Sequence, residues 1–176
     1  NALNFSLDYR YRNYDNANRR DDSDLRWNAN YSHGFGDNNL AVGVRGRASY
    51  RGNGATRNDY GVYSTFRFLG GPDDQFNIGA EFRRRNYPQG PLRARSRNIL
   101  EFTAGWTHTL FDGKGSFSLA AGGGREFATD NRPDGDSNFF NLSPTFDFTL
   151  SDAWGCYLFA WWQSYRYNAE RTNSEG

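Results

Sequence analysis

Asn98-Ile99-Leu100-Glu101-Phe102-Thr103-Ala104-Gly105-Trp106-Thr107-His108-Thr109-Leu110-Phe111 is the stretch whose pattern decides the fold. Leu100, Phe102, Ala104, Trp106 and Leu110 share one parity, and Glu101, Thr103, Gly105, Thr107 and Thr109 fill the positions between. A β-strand turns successive side chains to opposite faces, so this period gives the segment one greasy face and one wet face.

The same alternation recurs over residues 2–12, 25–35, 40–50, 60–69, 75–86, 116–127, 139–150 and 154–167, making about nine strands with the first. Four links are short and carry hairpin residues: Gly36-Asp37-Asn38-Asn39, Gly70-Gly71-Pro72-Asp73-Asp74, Asp112-Gly113-Lys114-Gly115 and Ser151-Asp152-Ala153. The others, over 13–24, 51–59, 87–97 and 128–138, read as long solvated loops rich in Arg, Asp, Asn and Gly. Strict alternation of long and short links between amphipathic strands predicts an all-β, antiparallel, up-and-down transmembrane β-barrel, with lipid outside and water within. Short turns face the periplasm in such barrels, so the chain is expected to start on that side. Nine strands is an odd number, and bacterial single-chain barrels have even numbers. Residues 1–176 are therefore expected to form one barrel domain, part of a larger even-numbered barrel and incomplete at its C-terminal end, where Ala169 to Gly176 reads like the start of another loop; the alternative is one further strand that the alternation does not mark.

Composition agrees with this reading. Mean hydropathy is −0.91, and no apolar run reaches the length a membrane helix needs. A barrel strand spends only alternate residues on lipid, so a hydrophilic chain can still cross a bilayer. Aromatic residues make up 18% of the chain against 36% apolar residues in all, as suits girdles at two membrane interfaces. The net charge of +1 gives no bulk attraction to nucleic acid, which is not an expected partner. Lys114 is the sole lysine among 21 basic residues, and arginine suits paired charges in a lumen or phosphate contacts at a rim. Cys156 is the single cysteine, so no disulfide framework is expected. No charged-then-apolar export signal opens the sequence, so an exported form is read as mature or trimmed.

Strand parity assigns the faces. Leu3, Phe5, Leu7, Tyr9, Trp27, Tyr31, Val42, Val44, Tyr60, Val62, Phe66, Ile78, Phe82, Leu119, Leu142 and Phe146 typify the expected lipid face, which carries no charge at mid-strand. An arginine at the bilayer midplane of a barrel costs about 2–4 kcal/mol, so that absence carries weight. The opposite face holds Arg10, Arg12, Arg26, Arg45, Arg47, Arg67, Glu81, Arg83 and Glu101, with Asp8, Glu126 and Asp147. These are the expected lumen and transport residues. Their simplest role is to pair across the lumen and stiffen it, and a small excess of Arg favours anionic solutes.

Two strands depart from the pattern. Pro144 cannot donate a ladder hydrogen bond, which predicts a bulge or seam in the eighth. In the ninth both faces are apolar, with Cys156, Leu158, Ala160 and Trp162 on one and Tyr157, Phe159, Trp161, Tyr165 and Tyr167 on the other. If the second set faces inward, Tyr157, Phe159, Trp161 and Tyr165 form a ladder on which sugar rings can stack; in the reverse register they extend the aromatic belt.

No catalytic set is apparent. His33 and His108 sit at strand ends with lipid-face parity, and Ser32 points away from His33. Neither a metal site nor a cofactor is expected: Asp134, Asp136 and Asn138 match a calcium loop in part, but Phe139 and Thr145 stand where its Gly and Glu belong. Asp21-Asp22-Ser23-Asp24 reads as a solvated loop run balancing Arg19 and Arg20.

A basic and aromatic cluster ends three strands on one side: Arg10-Tyr11-Arg12-Asn13-Tyr14, Arg83-Arg84-Arg85-Asn86-Tyr87 and Tyr165-Arg166-Tyr167-Asn168. Over its length the chain resembles the outer-membrane β-barrels of Gram-negative bacteria. The run Tyr9-Arg10-Tyr11-Arg12-Asn13-Tyr14-Asp15 is also similar to strand ends in the barrels that follow tetratricopeptide domains in surface-lipoprotein assembly and polysaccharide-export proteins. The resemblance implies an outer-membrane location and contact with outer-membrane lipid and lipopolysaccharide. It further implies a pore or export channel that passes a polysaccharide, a small anionic solute or a lipoprotein without chemistry. The alternative is a structural or adhesive barrel with a blocked lumen and binding loops.

Overall fold

A computed structural model describes residues 1–13, 21–52, 54–88, 95–129, 135–151 and 154–167. They form one antiparallel sheet in which the first nine strands each pair with their neighbours in sequence and the tenth pairs with the eighth. The strands are β1 (Ala2–Arg12), β2 (Asp22–Phe35), β3 (Asn38–Arg51), β4 (Gly54–Leu69), β5 (Asp74–Asn86), β6 (Arg97–Leu110), β7 (Gly115–Ala128), β8 (Ser137–Ser151), β9 (Trp154–Phe159) and β10 (Trp162–Tyr167). Among the described residues the sheet is open: β1 pairs β2 alone, and β9 and β10 both pair β8.

Ten strands appear where nine were expected because the ninth segment is interrupted. Thr145 faces Phe159 and Leu142 faces Trp162, so β9 and β10 keep one register on either side of the break. Pro144 is opposite the gap. Its carbonyl accepts from the Ala160 amide at 3.1 Å, but it has no N–H to return the bond.

A second departure concerns the links. Residues 51–59 are not a long loop: β3 runs to Arg51 and β4 begins at Gly54, so the turn is tight and Gly52 adopts φ +57°. Thr56 is an extra residue in β4, since Ser49 faces Arg57 and Tyr50 faces Ala55. The Thr56 hydroxyl donates to the Ser49 carbonyl across this bulge at 3.0 Å. Long and short links therefore do not alternate strictly.

Through the middle of the strands the registers carry one apolar face across the sheet. Leu3 faces Tyr31, Tyr31 faces Val42, Val44 faces Val62, Val62 faces Phe82, Phe82 faces Leu100, and Leu119 faces Trp106. This face is the exposed one, with Leu3 81%, Phe5 71%, Val62 55% and Phe102 57% accessible. The buried apolar side chains among the described residues are Ile99 and Phe139, and both belong to the other face. That other face buries Asp59, Glu81 and Glu126 and is open toward β1, where Asp8 and Arg10 are exposed. The usual partition of a water-soluble sheet is inverted.

Candidate functional site

Every expected lumen residue falls on this charged face. Arg26 faces Asp8 and Arg47, Arg47 faces Asp59, Arg85 faces Asp59 and Arg97, and Glu81 faces Glu101. A hollow of about 700 Å³ opens on this face, lined from β1 to β6 by residues that include Asp8, Arg26, Arg45, Tyr63, Glu81 and Glu101. A second of about 470 Å³ lies toward the β1–β2 link, between Arg10, Arg12, Asp22, Arg47 and Tyr87. Hollows lined by so many successive strands require the sheet to curl around its charged side.

Small residues make room for this. A Cβ on Gly43 would meet the Tyr63 ring at 2.9 Å, so glycine lets Tyr63 cross β3 and donate its hydroxyl to Asn28 Oδ1 on β2 at 2.8 Å. Arg45 then lies over the Tyr63 ring, 5.4 Å from its centroid. On the convex side Gly46 leaves the space that the Trp27 indole fills.

The charges form several separate clusters. Arg45 reaches across β4 to Glu81 with two parallel bonds, Nε donating to Oε1 at 2.7 Å and Nη2 to Oε2. Arg83 stands 3.9 Å from both Glu81 and Glu101. Asp24 accepts from Arg26 Nε at 2.8 Å, Arg47 Nε at 2.6 Å and the Ser49 hydroxyl at 2.8 Å. Arg57 binds Asp59 through Nε at 2.9 Å, with Arg85 at 3.6 Å. Arg97 pairs with Glu126, which also accepts from the Ser137 hydroxyl at 3.3 Å. Arg10 pairs with Asp8 at 3.1 Å, and Arg12 faces Asp22 in register. Arg67 is apart from them, level with Asn39 and Asn77 near the short turns.

Sequence reasoning missed part of these clusters. The sequence predicts a loop at Asp24, but β2 starts at Asp22 and Asp24 is a hub for two arginines. Arg57, Asp59 and Arg97 likewise lie on strands and not in the links the sequence predicts, and Arg85 of the basic and aromatic cluster turns to the charged face. The apolar period fades at strand ends while the ladder continues, so the sequence held a polarity signal there but no register signal.

The ninth segment now has a defined face. Tyr157 faces Asp147 and Tyr165 faces Phe139, which puts Tyr157, Phe159, Trp161 and Tyr165 on the charged side and Cys156, Leu158 and Trp162 on the apolar side. The inward set stays open: Tyr157 is 64% and Trp161 58% exposed. Gln163 Nε2 donates to the Tyr165 hydroxyl at 2.9 Å.

His108 and His33 lie on the apolar face near the short turns. Asp74 Oδ1 accepts from Trp106 Nε1 at 2.7 Å and is 2.9 Å from His108 Nδ1. His33 Nδ1 contacts Asn1 Oδ1 and its ring meets Phe35 edge-on. The Asp134 part of the calcium-like spacing lies outside the described residues, among which no metal-ligating cluster occurs. No protein-family model, curated protein or solved structure matches the chain.

Proposed function

We propose that this sheet is part of the wall of an outer-membrane β-barrel whose charged face lines a water-filled passage. One observation carries the reading: apolar side chains lie exposed along one face from β1 to β10, while the ionised groups, with Asp59, Glu81 and Glu126 buried among them, gather on the other. In water alone that arrangement wastes the main driving force of folding. In a bilayer the exposed belt is satisfied by hydrocarbon and the charged clusters by lumen water.

Strand direction adds a geometric condition. β1 and the β9–β10 segment run the same way, so an all-antiparallel wall closes around this sheet only through an odd number of further strands. The hollow between Arg26, Arg45 and Glu101 supports a pore or export channel for a solute, polysaccharide or lipoprotein. The open ladder from Tyr157 to Tyr165 favours a sugar-containing cargo. A structural barrel is the second reading, favoured by the pairing of Arg45, Arg47, Arg57 and Arg97 with acids.

Planar-bilayer recording of the closed wall, this sheet together with its further strands, separates the two. The pore reading expects discrete conductance steps that fall when a long neutral dextran is added. A bilayer that stays sealed under a saturating amount of inserted protein would contradict it and leave the structural barrel.

A further inference from the structure

The registers sort the arginines at the long-loop end into two groups. Of Arg83, Arg84 and Arg85, the outer two turn to the charged face, and Arg84 alone shares the face of Phe82 and Tyr60. Arg125 and Arg166 fall on that same apolar face. Arg125 is level with Asn138, and Asn138 with Arg166, on three neighbouring strands. Neighbouring strands lie about 4.8 Å apart, so the Arg125 and Arg166 backbones are roughly 10 Å from each other. Arg84 is level with Asn98 one row nearer the loops, where Asn98 faces Phe127. The result is a diagonal polar island, Arg84–Asn98–Arg125–Asn138–Arg166, bounded on the belt side by Phe82, Leu100, Phe102 and Phe140.

Three cations beside an exposed apolar belt need a counter-charge. Arg125 has part of one, 3.2 Å from Asp136, and lies 5.0 Å over the Phe127 ring. Arg84 and Arg166 have no ion pair among the described residues. The opposite end of the same face carries an acid instead, Asp74 bound by Trp106 and His108. A belt with cations at one rim and a carboxylate at the other is polarised toward a leaflet of dense negative charge.

We infer that Arg84, Arg125 and Arg166 form a site for the phosphate groups of an anionic lipid headgroup in the leaflet next to the long loops. The inference rests on the bilayer reading above and adds to it a specific ligand chemistry and three residues. Guanidinium groups suit it because each can fork onto two phosphate oxygens. The flanking asparagines supply neutral donors, and the belt below receives the acyl chains.

The test uses the chain in phosphatidylcholine nanodiscs, titrated with bisphosphorylated lipid A carrying a fluorescent tag. The triple substitution Arg84→Gln, Arg125→Gln and Arg166→Gln is expected to weaken binding at least about tenfold. Arg166→Gln alone gives a smaller loss, and Lys114→Gln at the other end none. Unchanged binding in the triple variant overturns the assignment, and Arg166→Gln, at an exposed position, keeps the test valid if the triple variant does not fold. Displacement of lipid A by an equal concentration of inorganic phosphate also overturns it, since the site would then hold a free anion and not a headgroup. Quenching of Trp162, as sole tryptophan, by brominated acyl chains in the same discs reports the bilayer reading separately. Quenching with unchanged lipid A binding removes only the arginine site; absent quenching removes both.

Discussion

Glu81 is the residue on which the charged face depends most. It is 7% exposed and accepts both bonds from Arg45 while facing Arg83. Glu81→Gln keeps the shape and removes the charge, leaving two guanidinium groups short of a partner. A loss of about 1–3 kcal/mol is expected, the cost of unmaking charged hydrogen bonds at a sheltered site. Glu101→Gln should cost less, because Glu101 is more open and its contact with Arg83 is 3.9 Å. Urea unfolding in lipid vesicles followed by tryptophan fluorescence measures both, and equal losses would contradict the ranking. The membership of Glu81, Arg45, Arg83 and Glu101 in one face was legible from parity alone. Their pairing was not, because Arg45 to Glu81 spans two strands and depends on Gly43 and Tyr63 lying flat between them.

At the level of elements, strand identity was readable wherever greasy residues alternated, and strand ends were not. β4 starts at Gly54 instead of residue 60 because Thr56, Arg57, Asn58 and Asp59 offer no apolar partner to mark the period. The bulge at Thr56 also breaks the parity on which the reading relies. Pro144 was legible as a defect, and its effect is the split between β9 and β10. Pro144→Ala restores an N–H opposite the Ala160 carbonyl. Slower amide hydrogen exchange over residues 159–162 is expected, with a gain of about 0.5–1.5 kcal/mol in local opening. Unchanged exchange there would mean that something other than the missing donor holds the strands apart.

The described residues form one sheet with its apolar face outermost, and that property was present in the sequence as the absence of mid-belt charge. What the sequence did not carry is curvature, which comes from small residues such as Gly43 and from side chains that bridge strands. The two faces meet at adjacent tryptophans in the ninth segment, Trp161 on the charged side and Trp162 on the apolar side, with nearly equal exposures of 58% and 56%. Exposure alone cannot distinguish them, but their surroundings in a membrane would. Two single-tryptophan chains, one keeping Trp161 and the other Trp162, reconstituted in vesicles with brominated acyl chains, make the decisive comparison. Strong bromine quenching of Trp162 with iodide-accessible, weakly brominated-lipid-quenched Trp161 is the predicted result. Equal iodide quenching of both, with no effect of the brominated lipid on either, would contradict the bilayer-facing sheet.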